Sequence, residues 1–213
     1  MRKLIKAIRD NSLSITLFTL FVICISAQSF AGWRSQNANL AAHGQLSLGY
    51  CLYLSTGTFW DGLASNWQAA VLQLGSLIVF SRFLYQRGAP HSLDPHKSKG
   101  KQKRHAERWL FTWAYHNSLS LMFLLLFVLS FALHVFTGAS AYNAERALVG
   151  QPPISITSFL LSAKFRSITL QTWQAEYLVI ALYVVLTIFL RQEDSPESKP
   201  VKASDETTGE ANK

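Results

Sequence analysis

The sequence predicts an all-α fold, an integral membrane four-helix bundle made of two parallel two-span repeats, with a short interfacial helix in each of its two outer loops. Three observations predict it. Four apolar blocks are long enough to cross a hydrocarbon core, which takes about 20 residues. Basic residues collect on one side of those blocks, and the chain resembles itself at a fixed offset of 106 residues. Composition agrees: of 213 residues, 49% are hydrophobic and only 15% charged, against roughly 25% charged in a soluble domain. Such an apolar load excludes a disordered or fibrous chain. The net charge of +8 raises the question of nucleic acid. The charges lie between the apolar blocks, however, and no aromatics interleave the lysines before Trp109, so nucleic acid is not an expected partner.

The first span runs from about Leu13 to Ala31 and carries no ionisable side chain except Cys24. The second runs from about Trp67 to Tyr85 and is the weakest, being interrupted by Gln73, Ser76 and Ser81. The third, about Leu119 to Thr137, has His134 as its titratable group, and the fourth, about Trp173 to Leu190, has Glu176 near its start. Lys and Arg stay on the cytoplasmic side of a membrane. Arg2, Lys3, Lys6 and Arg9 precede the first span, and seven Lys and Arg residues from Arg87 to Arg108 separate the second from the third. Both termini are therefore expected in the cytoplasm, with loops 32–66 and 138–172 outside. Arg82 and Arg191 lie where long side chains snorkel to the cytoplasmic interface.

Aligning 11–92 with 117–198 needs no gap, and about 26 of the 82 positions are identical. Asn11-Ser12-Leu13-Ser14 returns as Asn117-Ser118-Leu119-Ser120. Trp67-Gln68-Ala69 returns as Trp173-Gln174-Ala175, and Gly32, Asn37 and Gly44 return as Gly138, Asn143 and Gly150. An internal period of this kind marks a repeated structural unit. Residues 1–31 also read as a signal peptide with a Ser29-Phe30-Ala31 cleavage site. Their counterpart at 118–137 is internal, which favours a retained span. Two spans per repeat bring both halves into the membrane in the same orientation.

The expected segments follow in order. Residues 1–10 are a basic cytoplasmic N-terminus, 11–86 the first repeat, 87–116 a basic linker, 117–192 the second repeat and 193–213 an acidic tail. Helix periodicity continues past the first span to Leu40 and stops at Gly44, a residue suited to a left-handed helix end, as is Gly150. Leu46 to Leu54 and Ile154 to Leu161 are too short to cross and are read as surface-lying or partly re-entrant helices. The next helix starts near Thr58, and in the second half at Ser162. Residues 87–108 read as a solvated, topology-setting linker, with attraction to anionic lipid headgroups as the sharper alternative. The tail from Gln192 to Lys213 holds six of the twelve acids and is expected to be disordered.

Polar groups at membrane depth are costly, so each needs a reason. Gln28 and His134 occupy matched positions near the outer ends of the first and third spans. Gln68 and Gln174 do so at the second and fourth, with Glu176 two residues on. One reading converges them in an outer polar ring in which a His-Glu pair relays protons or binds a cation. The preferred reading is that these groups bond across helices and hold the bundle together. Trp67 and Trp173 are expected in the interfacial aromatic belt. His91, His96 and His105 are too irregularly spaced for a metal site. No phosphate loop, CxxC, HExxH or GxSxG motif occurs, so catalysis has no foothold and no cofactor is implied.

The stretch TWQAEYLVIALYVVLTIFLRQEDSPESKP within Ser158–Pro200 resembles the signature end of a bacterial membrane family known as a domain of unknown function. NSLSITLFTLF at Asn11, FAGWRSQNANLAAHGQ at Phe30 and FWDGLASNWQAAVLQ at Phe59 are similar to its first half. Two departures fall in that half: Ala70 stands where an acidic residue follows the Trp, and His91-Ser92-Leu93 replaces a Glu-Ser-Lys ending. The resemblance implies a bacterial integral membrane protein and brings no known substrate, cofactor or active site. The resulting expectation is a non-enzymatic multi-pass subunit, accessory or envelope-associated, with the bilayer as its partner. The alternative is a small transporter or channel with a polar outer site, which four helices enclose only as a homo-oligomer.

Overall fold

The computed structural model describes residues 2–92 and 109–209, with side chains from Lys6 to Ser92 and from Thr112 to Gly209. Most of the basic linker, 93–108, and the last four residues lie outside the described residues. Eight helices occur in the order α1 (Arg2–Asp10), α2 (Ser12–Ala42), α3 (Tyr50–Tyr53), α4 (Gly57–Phe83), α5 (Trp109–His116), α6 (Ser118–Leu148), α7 (Ile156–Leu160) and α8 (Ala163–Phe189). Among the described residues there is no strand. The four long helices α2, α4, α6 and α8 are each apolar and long enough to cross a membrane. At 31, 27, 31 and 27 residues and about 1.5 Å per residue, each exceeds a core about 30 Å thick. The expected spans are thus the apolar parts of longer helices.

Two helices arise where none was assigned, α1 in the basic N-terminus and α5 at the end of the linker. Each is divided from the span that follows by an asparagine. The side-chain amides of Asn11 and Asn117 donate to the carbonyls of Ala7 and Trp113, both at i−4. At Asn11 the backbone leaves helical geometry (φ −120°, ψ 19°). The glycine stops are as expected: Gly44 and Gly150 end α2 and α6 at φ +67° and +69°. Ser162 opens α8, its hydroxyl accepting from the Phe165 amide at 3.1 Å.

The chain divides into two compact units, Met1–Gly62 with Phe136–Ile156, and Leu63–Val135 with Thr157–Lys213. In the first, the loop after α2 is held by side chains of α2 itself. Asn37 donates to the Leu48 carbonyl at 3.0 Å and accepts the Leu48 amide at 2.8 Å. Asn143 of α6 makes the same pair with Ile154, at 3.0 and 2.9 Å. Trp33 Nε1 adds a bond to the Leu48 carbonyl, and Ser29 pairs with the Tyr50 hydroxyl. Tyr53 of α3 is buried against Gly32 and Phe59, and burial pushes its phenol above the usual tyrosine range.

Gly57 opens α4 against α6. A Cβ there would sit 2.7 Å from the Ser140 side chain and 2.8 Å from the Thr137 carbonyl. The carbonyl belongs to a helix and cannot swing away, so Gly57→Ala should destabilise the protein by about 1–2 kcal/mol. Unfolding titration in detergent would register it, and an unchanged midpoint would show that the two helices part freely.

In the second unit α4, α6 and α8 pack together. Phe131 and His134 of α6 meet Phe165 near the start of α8, and Phe127 meets Trp173 further along, so these two helices run antiparallel. Gly75 of α4 lies against Phe123, and Arg82 donates to Asn117 Oδ1 at 2.8 Å, again antiparallel. Between α4 and α8 the pairs Gln68–Thr172, Gln73–Glu176 and Ser76–Tyr177 rise together, so α4 and α8 run in the same direction.

Both of these helices end in the same turn. The Gln86 amide donates to Ser92 Oγ at 2.9 Å, and the Gln192 amide to Ser198 Oγ at 2.8 Å. A left-handed residue stands at matched positions, Gly88 at φ +82° and Asp194 at φ +61°. The tail read as disordered departs from that expectation: over 192–209 it forms hydrogen-bonded turns without helix or strand. Arg191 pairs with Asp205 at 2.6 Å, and Lys199 Nζ donates to the carbonyls of Ser204, Asp205 and Thr207. Burial, with Arg191 nearby, lowers the Lys199 ammonium below the usual lysine range despite Asp205. The Thr208 hydroxyl accepts the Gly88 amide at 2.8 Å, and the Gly209 amide reaches the Ala89 carbonyl at 3.1 Å.

Candidate functional site

The spacing 165, 169, 172, 176 places Phe165, Thr169, Thr172 and Glu176 on one stripe of α8. On α4, Ser65 and Gln68 lie one turn apart. Apolar packing of α4, α6 and α8 draws part of these polar stripes inside, where each group must find a partner. Gln68 and His134 have no exposed surface at all, and Ser65 and Thr169 are buried. Gln68 Nε2 donates to the Ser65 carbonyl at 3.0 Å and stands 3.5 Å from Thr172 Oγ1. Its Oε1 accepts Trp173 Nε1–H at 2.8 Å. His134 Nε2 lies 3.4 Å from Thr169 Oγ1, and the Phe165 ring stacks on the imidazole at 5.0 Å and 26°. Thr172 Oγ1 in turn donates to the Thr169 carbonyl at 2.9 Å.

This polar layer takes up only part of the expected ring. Gln68 and His134 are in it. Gln174 is exposed, and Glu176, half-buried, offers its backbone carbonyl to Gln73 Nε2 at 3.0 Å. Gln28 belongs to the first unit, where it is exposed and reaches Gly62. Trp173, expected as an interfacial anchor, is half-buried and spends its indole N–H on Gln68. Trp67 is half-buried as well. The sequence does not single out Ser65, Thr169 or Thr172, and it marks Gln73 only as an interruption of the second span. Their signal was the threonine spacing on α8, in register with Glu176.

A second cluster joins the end of α8 to both turns. Tyr183 Oη lies 2.6 Å from His91 Nε2 and donates to Glu197 Oε2 at 2.8 Å. A phenol has one proton, and an ionised carboxylate accepts only. His91 Nε2 must therefore carry the hydrogen that faces Tyr183, giving a chain from imidazole through phenol to carboxylate. Among the described residues no three His, Cys, Asp or Glu side chains group as metal ligands. Cys24 and Cys51 are both free thiols.

Four apolar spanning helices, three of them packed around a buried polar layer, define a multi-pass all-helical membrane protein. Residues 4–210 match the family described as Domain of unknown function (DUF6766), and the chain belongs to that family. No curated protein and no solved structure matches it.

Proposed function

We propose that the chain is a non-catalytic four-span protein of the bacterial cytoplasmic membrane, an accessory or envelope-associated subunit whose two halves are parallel repeats. The observation that carries this reading is the saturation of its buried polar groups. Gln68 is held by Ser65, Thr172 and Trp173. Among the described residues Arg191 Nε is the buried side-chain nitrogen or oxygen left without a hydrogen-bond partner. A layer whose donors and acceptors engage one another joins helices and leaves little to coordinate a substrate. The shared direction of α4 and α8 supports the parallel arrangement of the halves.

Native mass spectrometry from membranes tests the role, a stoichiometric second protein being the expected result. Ion flux by the purified, reconstituted chain, abolished by His134→Ala with Glu176→Ala, would overturn it. Orientation follows from the basic residues. Reporter fusions at Lys103 are expected to read cytoplasmic and those at Ala41 external; a cytoplasmic signal at Ala41 would reverse the topology.

A further inference from the structure

We infer that α1 is an anionic-phospholipid-binding helix lying on the membrane surface where α2 enters the bilayer, which rests on the membrane reading above. At about 100° per residue, Arg2, Lys3, Lys6 and Arg9 fall in one arc of the helix. Leu4, Ile5, Ala7 and Ile8 fall in the opposite one. Its single acid is Asp10. The described side chains of α1, from Lys6 to Asp10, are all exposed, with Ile8 at 50%. This part of the apolar arc is thus uncovered, on a helix joined to an apolar span.

The break at Asn11 separates α1 from α2. Nonhelical backbone there and the Asn11 amide closing on the Ala7 carbonyl end one helix before the next begins. A short helix with apolar and cationic faces opposed suits the boundary between acyl chains and headgroups. Four cations against one acid select a negatively charged headgroup.

The test uses the full chain with Cys24→Ser and Cys51→Thr, the residues found at their repeat counterparts. An environment-sensitive fluorophore is placed on Ile8→Cys, and the protein is reconstituted in nanodiscs of phosphatidylcholine with or without phosphatidylglycerol. Apolar emission is expected only with phosphatidylglycerol, and high salt should reverse it. Lys3→Gln with Lys6→Gln and Arg9→Gln should weaken the surface-bound state roughly 100-fold. Water-like emission in both discs, or apolar emission indifferent to lipid charge, overturns the inference. A matching label on Leu20→Cys in α2 separates the two readings. If that position also reports water, the membrane assignment fails, whereas apolar emission at Leu20 beside water-like emission at Ile8 sinks only the role of α1.

Discussion

Gln68→Ala is expected to destabilise the protein by about 2–4 kcal/mol, because it opens a cavity where no surface is exposed and strands the Trp173 N–H. Gln68→Leu fills the space but leaves that donor unpaired, and should lose about 1–2 kcal/mol. The diagnostic quantity is the coupling. With Trp173→Phe in the same chain the loss should fall short of the sum of the single losses by about 1 kcal/mol, since no orphaned partner remains. Reversible unfolding in mixed micelles, with all four variants compared, measures this. Strict additivity would mean that the 2.8 Å bond contributes nothing and that the layer coheres by packing alone.

Asn37→Ala should carry the next largest effect, a loss of about 2 kcal/mol, roughly 1 kcal/mol for each of two hydrogen bonds. It releases the amide of Leu48, leaves its carbonyl to the Trp33 indole alone, and so loosens the segment between Gly44 and α3. Asn37→Asp separates shape from bonding: the carboxylate still accepts the Leu48 amide, but it has no donor and turns an oxygen toward the carbonyl. It should therefore recover only part of the loss. Asn143→Ala should behave alike at Ile154. Hydrogen exchange at the Leu48 and Ile154 amides reads the effect locally, and unchanged protection in the alanine variants would contradict it.

The spans were legible in the sequence because apolar length and glycine stops are local properties. Gly44, Gly150 and Ser162 do where they stand what their chemistry suggests. Asn37 and Asn143 were visible as matched residues, but not as clasps. A side chain that binds backbone eleven residues ahead leaves no periodic trace. The polar ring was half legible for a related reason. Matched positions suggested matched environments, yet α4 buries Gln68 while α8 turns Thr169 and Thr172 inward and leaves Gln174 exposed. Which face of a helix is covered depends on its neighbours, and threonine is apolar enough to pass unnoticed in a span. The tail misled through composition. Few apolar residues implied disorder, but Ser198, Lys199 and Thr208 order it through backbone hydrogen bonds that no hydropathy measure counts.

His91 and Glu197 stand at equivalent points of the 106-residue period, and both reach the one hydroxyl of Tyr183, with 3.8 Å between Nε2 and Oε2. Were the two halves identical, two carboxylates or two imidazoles would be forced together there. Carrying both segments in one chain removes that restriction, because each side of the junction is then encoded separately. An acid can mutate to a base on one side alone, and a self-repelling seam becomes complementary. A freestanding half, associating with its own twin, could never reach that solution.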